Sequence, residues 1–168
     1  MHLLDAQSDG SFGKFFGHPK GETKSKEFVI RMLTEFNFDF STFRNILVPI
    51  PVPSNGKVTA LQEPIKKAFV EKGWNPFPKY PESNYTADLG FNIGERSIFV
   101  EVELSDIRRA VNAFFMSRVF RTGFMRLGIF ITPESNRPEP KQFYSSLVRR
   151  YDYLAPEYPL WVIGFSYP

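Results

Sequence analysis

From Arg96 to Leu104 the chain reads Arg-Ser-Ile-Phe-Val-Glu-Val-Glu-Leu, a β-branched and aromatic run suited to a buried strand, yet it carries Glu101 and Glu103 at alternate positions. Residues two apart on a strand share a face, so both acids leave the pleat beside Phe99, with Val100, Val102 and Leu104 on the other side. The preceding stretch from Tyr85 to Ile93 reads as a second strand. Gly94-Glu95 between them fits a two-residue type II′ turn, with Gly supplying the positive φ. That turn pairs Ile93 with Arg96 and, counting outward, Asp88 with Glu101.

Directly opposed residues hold their Cβ atoms roughly 5 Å apart, so the hairpin is expected to gather Asp88, Glu101 and Glu103 within a few Å. Like charges so placed repel, and a close pair of carboxylates does not keep both charges without a cation. A hard divalent ion resolves the conflict, because Mg²⁺ takes one or two carboxylates together with waters and substrate phosphates. Alternate acids on a strand are ordinarily its solvated face. Here the strand is hydrophobic on both sides, as a central strand is, and a third acid is in register, which favours a metal site.

The 168 residues are expected to form one domain with a sizeable core. Nineteen Phe and 14 Pro predict aromatic plugs and rigid connections. The absence of cysteine excludes disulfides, thiol catalysis and cysteine metal cages. His2 and His18 have no partner at ligand spacing, which excludes a histidine zinc site. With neither a secretory signal pattern nor a long apolar run, the expectation is a cytoplasmic protein with no membrane span. A net charge of +3 permits a polyanionic partner.

Residues 1–24 read as a flexible or irregular N-terminal arm, ordered only against the body or a partner. Apolar spacing predicts an amphipathic helix over Ser25 to Phe36 and a second short helix between Asn37 and Leu47. Alternate prolines make Val48 to Pro53 an extended connection. The next helix, Thr59 to Lys72, has two possible starts: a Thr59/Gln62 capping box, or Glu63 with Pro64 in the first turn. Ile65, Ala68 and Phe69 form its buried stripe, Lys66, Lys67 and Lys72 make it basic, and Glu63 is either a helix-start acid or a further metal-site carboxylate. Trp74 is expected to pack on the sheet.

After the acidic strand, Asp106 to Gly123 reads as a helix carrying Arg108, Arg109, Arg118 and Arg121, either a solvated face or a grip on a phosphate backbone. Met125 to Thr132 is expected to lie parallel to the acidic strand through a right-handed crossover, followed by a loop, a helix over Lys141 to Leu154 and a last strand from Leu160 to Phe165.

This order, with Asp88 on one strand and Glu101-Val-Glu103 on the next, resembles the core of the PD-(D/E)XK nucleases. More closely, Glu101-Val-Glu-Leu-Ser-Asp-Ile-Arg-Arg-Ala-Val-Asn112 and Leu127-Gly-Ile-Phe-Ile-Thr-Pro133 resemble the BglII, BstYI and BamHI branch of type II restriction endonucleases. The resemblance covers residues 57–135 and implies that they form the catalytic core. It implies an α/β (α+β) restriction-endonuclease-like core, a mixed central sheet flanked by helices. It also implies Mg²⁺-dependent hydrolysis of double-stranded DNA by a homodimer. Asp88 and Glu101 would be metal ligands, Glu63 would match the acid some relatives carry on the preceding helix, and Glu103 would occupy the place of the motif's usual lysine, as in the BamHI-like members. A glutamate there accepts a proton or adds a ligand. Ala87 stands where the family name has proline. Lys66, Lys67, Arg108 and Arg109 are the expected DNA contacts. Two alternatives accompany this expectation: a structure-specific repair or recombination nuclease, and a non-catalytic nucleic-acid-binding module that keeps the fold.

Overall fold

The acidic strand lies inside a mixed sheet, between the strand that its own turn pairs with it and a parallel apolar strand. The computed structural model describes residues 1–17, 22–51, 53, 57–79, 86–105, 125–135, 143–154, 156 and 158–167. In chain order these form strands β1 (His2–Leu3) and β2 (Lys14–Phe16), helices α1 (Glu22–Glu35) and α2 (Phe40–Leu47), and a 3₁₀ turn (Val58–Leu61). Helix α3 (Gln62–Val70) and strands β3 (Asn75–Pro76), β4 (Leu89–Ile93), β5 (Arg96–Val102) and β6 (Met125–Pro133) follow. Helix α4 (Phe143–Leu154) and strand β7 (Leu160–Ser166) complete them. The sheet order is β1-β7-β6-β5-β4-β3, with β2 also pairing β7.

The hairpin has the register its turn dictates. Gly94 takes φ 58°, and the antiparallel ladder runs from Ile93↔Arg96 to Leu89↔Val100. β6 then lies parallel to β5, with Glu101 beside Phe130, and β7 lies parallel to β6. The helix expected over Asp106 to Gly123 lies outside the described residues. Six of the seven residues of β7 are buried, the pattern of a strand covered on both faces.

Helices α1, α2 and α3 pack over one face of the sheet, against Ile98, Val100, Ile129 and Ile163. The other face sets Phe99, Phe130 and Val162 against Tyr144, Leu147 and Tyr151 of α4. Much of the phenylalanine collects on the first face. Trp161 touches Phe12, Phe40 and Phe43, while Trp74 stacks on Phe38 and meets Phe43, Phe69 and Phe91 edge-on or tilted.

The N-terminal stretch is irregular apart from two short strands and is ordered against the body. β1 and β2 both pair antiparallel with β7, and Phe12, Phe15 and Phe16 are buried. Glycine makes the close approach possible: a Cβ on Gly13 would lie 2.3 Å from the Val162 carbonyl oxygen, and one on Gly17 2.3 Å from that of Tyr158. Lys26 of α1 fastens the intervening loop by donating to Gln7 Oε1 at 2.8 Å and to Asp9. Chiefly through that bond to Lys26, and then through Ser11, the Asp9 carboxyl is held well below the usual carboxylate range.

Of the two starts open for α3, the structure takes one close to that with Pro64 in the first turn. α3 begins at Gln62 after the 3₁₀ turn, with no side-chain cap from Thr59 and with Pro64 in its first turn. α2 has a full capping box, Asp39 Oδ1 accepting from the Thr42 N–H at 2.9 Å. Hydrogen bonds from Ser41 and then Thr42 lower the Asp39 pKa, so its stabilisation is present above the ordinary carboxylate range and is lost as pH falls through it. Asp39→Ala should therefore cost about 1 kcal/mol in urea unfolding at pH 7, and measurably less near pH 2.

Candidate active site

Asp88 stands one residue beyond the last ladder pair of the hairpin, where continued register would set it opposite Glu101. The chain bends there. The Phe77 N–H donates to the Asp88 carbonyl at 3.1 Å and the Ala87 N–H to that of Pro78 at 3.0 Å, tying this corner to the β3 segment. The Asp88 side chain fills the gap left in the ladder: Oδ2 accepts the Val102 N–H at 2.8 Å, taking the place of a strand carbonyl. Oδ1 receives the Lys66 ammonium at 2.7 Å.

Lys66 was expected on the exposed basic side of α3. It is buried instead, 8% exposed, because Asp88 and Phe77 close over it. Its Nζ lies 4.8 Å from the centroid of the Phe77 ring, within cation–π range. Phe77 has φ 51°, a left-handed conformation that costs a bulky residue about 1–3 kcal/mol, and yet its side chain is 59% exposed. The signal in the sequence was the spacing of Lys66, three residues before the buried Phe69 and so on the same side of the helix.

Glu101 is half-buried on β5 and, by strand alternation, belongs to the face of Phe99 and Phe130. The Tyr151 phenol of α4 is pushed well above its usual 10.0, first by burial, then by Tyr158 and by the charge of Glu101. A raised folded-state pKa stabilises the protein below the unfolded value, and that stabilisation is lost as pH rises beyond it. Unfolding free energy should therefore decline above about pH 10, and Tyr151→Phe should flatten that alkaline limb in pH-dependent urea melts.

Glu103 lies one residue past the end of β5. Its N–H still donates to Ile131 O at 3.0 Å, and its Oε1 accepts from the Ser105 N–H at 2.8 Å and from Ser105 Oγ at 3.1 Å. Glu63 is exposed in the first turn of α3. Lys67, whose side chain is 78% exposed, is 3.9 Å from Glu71. Arg108 and Arg109 lie outside the described residues. Among the described residues no group of three or more His, Cys, Asp or Glu is placed to share a metal ion, so the expected three-carboxylate cluster is not formed. The bend at Asp88 is the reason, since it turns that carboxylate onto Val102 and Lys66. What remains is Asp88 with Glu101 on the adjoining strand, two hard oxygen donors of the number Mg²⁺ needs beside water and phosphate. The Lys66 ammonium already shows that the Asp88 oxygen accommodates a cation.

No family model and no curated protein matches the chain. Among solved structures, that of restriction endonuclease BglII complexed with a DNA 16-mer is similar, with a TM-score of 0.51 at 20% identity over 62% of this chain and 54% of that one. The fold is restriction-endonuclease-like. The chain thus spans about half the length of the structure it matches. This chain has the mixed central sheet flanked by helices that the hairpin, the parallel β5–β6 pair and the helices on either face predict. No helix among the described residues is long and apolar enough to cross a membrane.

Proposed function

We propose that this chain is a Mg²⁺-dependent endonuclease hydrolysing phosphodiester bonds of double-stranded DNA, of the type II restriction-enzyme kind. The observation that carries the reading is Asp88, held on the Val102 N–H at the end of β5 and against the buried Lys66 ammonium, one residue beyond the β4–β5 ladder, within a restriction-endonuclease-like fold. Because the similar structure is a DNA complex, duplex DNA is the substrate this fold argues for.

Asp88 and Glu101 would hold the ion. Bound there, Mg²⁺ supplies charge stabilisation to the phosphate and lowers the pKa of a water. Glu103, two residues on from Glu101, would orient a water or accept a proton, and Glu63 at the start of α3 would be the remaining acid of the site. Lys66, Lys67, Arg108 and Arg109 neutralise backbone phosphates, so duplex affinity falls steeply with salt. Cutting both strands takes two such sites, which a twofold homodimer provides.

A second reading is favoured by Glu103 in the lysine's place and by the Lys66–Asp88 pair, which neutralises the site without metal. It is a module that binds nucleic acid and does not cut. Fluorescent duplex, junction and flap substrates, bound in Ca²⁺ and then switched to Mg²⁺, separate the readings. Cleavage of linear duplex supports the restriction-type enzyme and cleavage confined to junctions or flaps the repair-type enzyme. Salt-sensitive binding with no cutting of any substrate points to the module.

A further inference from the structure

Lys66 occupies the one oxygen of Asp88 that the sheet leaves for a ligand. Oδ2 is committed to the Val102 N–H, while Oδ1 lies 2.7 Å from the Lys66 ammonium. Two further features show that this placement is built. Lys66 is 8% exposed, and a charge so enclosed is kept only with a partner. Phe77 adopts a backbone conformation that bulky residues seldom take, at φ 51°, and so brings its ring to 4.8 Å from the same ammonium. The ring is largely exposed, so the pair lies next to solvent. A lysine carries its charge on a flexible four-carbon stem and can give up one partner for another.

We propose that Lys66 is a tethered counter-cation, which covers a ligand oxygen of Asp88 in the metal-free protein and yields it when a divalent ion enters. The inference rests on the reading of Asp88 as a metal ligand. Held by Lys66 on Oδ1 and by the Val102 N–H on Oδ2, the Asp88 carboxylate is already aimed without metal, so the site is preformed. The same pairing lowers metal affinity below what the donor set alone would give, because the Lys66–Asp88 contact must be surrendered. Displaced Lys66 remains tethered at the site as a positive charge for the substrate phosphate, which Glu103 does not supply.

The test is Mn²⁺ binding to the DNA-free protein by titration calorimetry, for the wild type, Lys66→Gln, Lys66→Arg and Asp88→Asn. Lys66→Gln is expected to bind about tenfold more tightly, equivalent to about 1.4 kcal/mol, Lys66→Arg within about twofold of wild type, and Asp88→Asn far more weakly. Because Lys66→Gln alters a buried ion pair and can cost the fold, the wild type supplies a second readout. The ¹⁵N resonance of the Lys66 ammonium should shift when Mg²⁺ is added to saturation. Unchanged or weaker Mn²⁺ binding by folded Lys66→Gln, or a Lys66 resonance unmoved by Mg²⁺, overturns the inference while Asp88-dependent binding leaves the ligand reading standing. Asp88→Asn binding as well as the wild type overturns both.

Discussion

Glu101→Ala is expected to slow Mg²⁺-dependent cleavage of duplex DNA by at least about a hundredfold while the protein melts within a few degrees of wild type. The size follows from what a ligand to a catalytic ion supplies: several kcal/mol of charge stabilisation, of which about 2.7 kcal/mol alone is about a hundredfold in rate. The selectivity follows from place. Glu101 is half-buried near the end of β5, and its charge opposes the ionisation of Tyr151. Its side chain is polar and half-buried, so its removal opens no apolar cavity. Asp88→Ala behaves differently. It leaves the Lys66 ammonium buried and alone and should cost stability as well, about 3–5 kcal/mol for breaking a buried pair. Initial rates at saturating Mg²⁺ with a thermal melt on the same preparations separate the two variants. Equal loss of stability in both would count against Glu101 as a functional acid.

The largest expected effect of opening the apolar core is at Trp161. Its ring lies 5.0 Å from Phe12, 4.9 Å from Phe43 and 5.2 Å from Phe40, and its Nε1–H donates to the Phe12 carbonyl at 2.8 Å. Trp161 thereby joins the N-terminal strands, α2 and β7 in one contact. Trp161→Ala should cost roughly 3–5 kcal/mol, because a cavity of that size in a packed aromatic cluster does not collapse. At roughly 2–4 °C per kcal/mol for a chain of this length, the melting temperature should fall by about 10–15 °C. Trp161→Phe keeps most of the ring but strands the Phe12 carbonyl, at about 1–3 kcal/mol. A fall of under about 3 °C in the alanine variant would show that the cluster is not the keystone of this face.

What could be read in the sequence was local in origin. Gly94 needs only its own φ to set the turn, and the turn sets every pair of the β4–β5 ladder, so the register was legible from a dipeptide. The parallel partner of β5 and the last strand announced themselves as apolar runs long enough for a covered sheet. What could not be read depends on distant partners. β2 is sheet because β7 lies beside it, with Phe15 paired to Trp161 at the other end of the chain, and no pattern within residues 14–16 states that. Lys66 is buried because Asp88 and Phe77 meet it from another segment, and the helical period alone placed it at the edge of the stripe. The β5 strand ends at Val102, two residues short of Leu104, although the Glu103 N–H still donates to Ile131 O and its carboxylate accepts from the Ser105 N–H. The acids themselves were visible. Their expected convergence failed at Asp88, where a bend replaces the last ladder pair.

Cleavage of mixed-sequence duplex DNA by the wild type, with Mg²⁺, with Ca²⁺ and with chelator, tests the acidic hairpin as a nuclease centre most directly. Discrete fragments in Mg²⁺ alone, absent in Glu101→Ala, are the expected result. Duplex left intact in Mg²⁺, or fragments made equally well by Glu101→Ala, would contradict it.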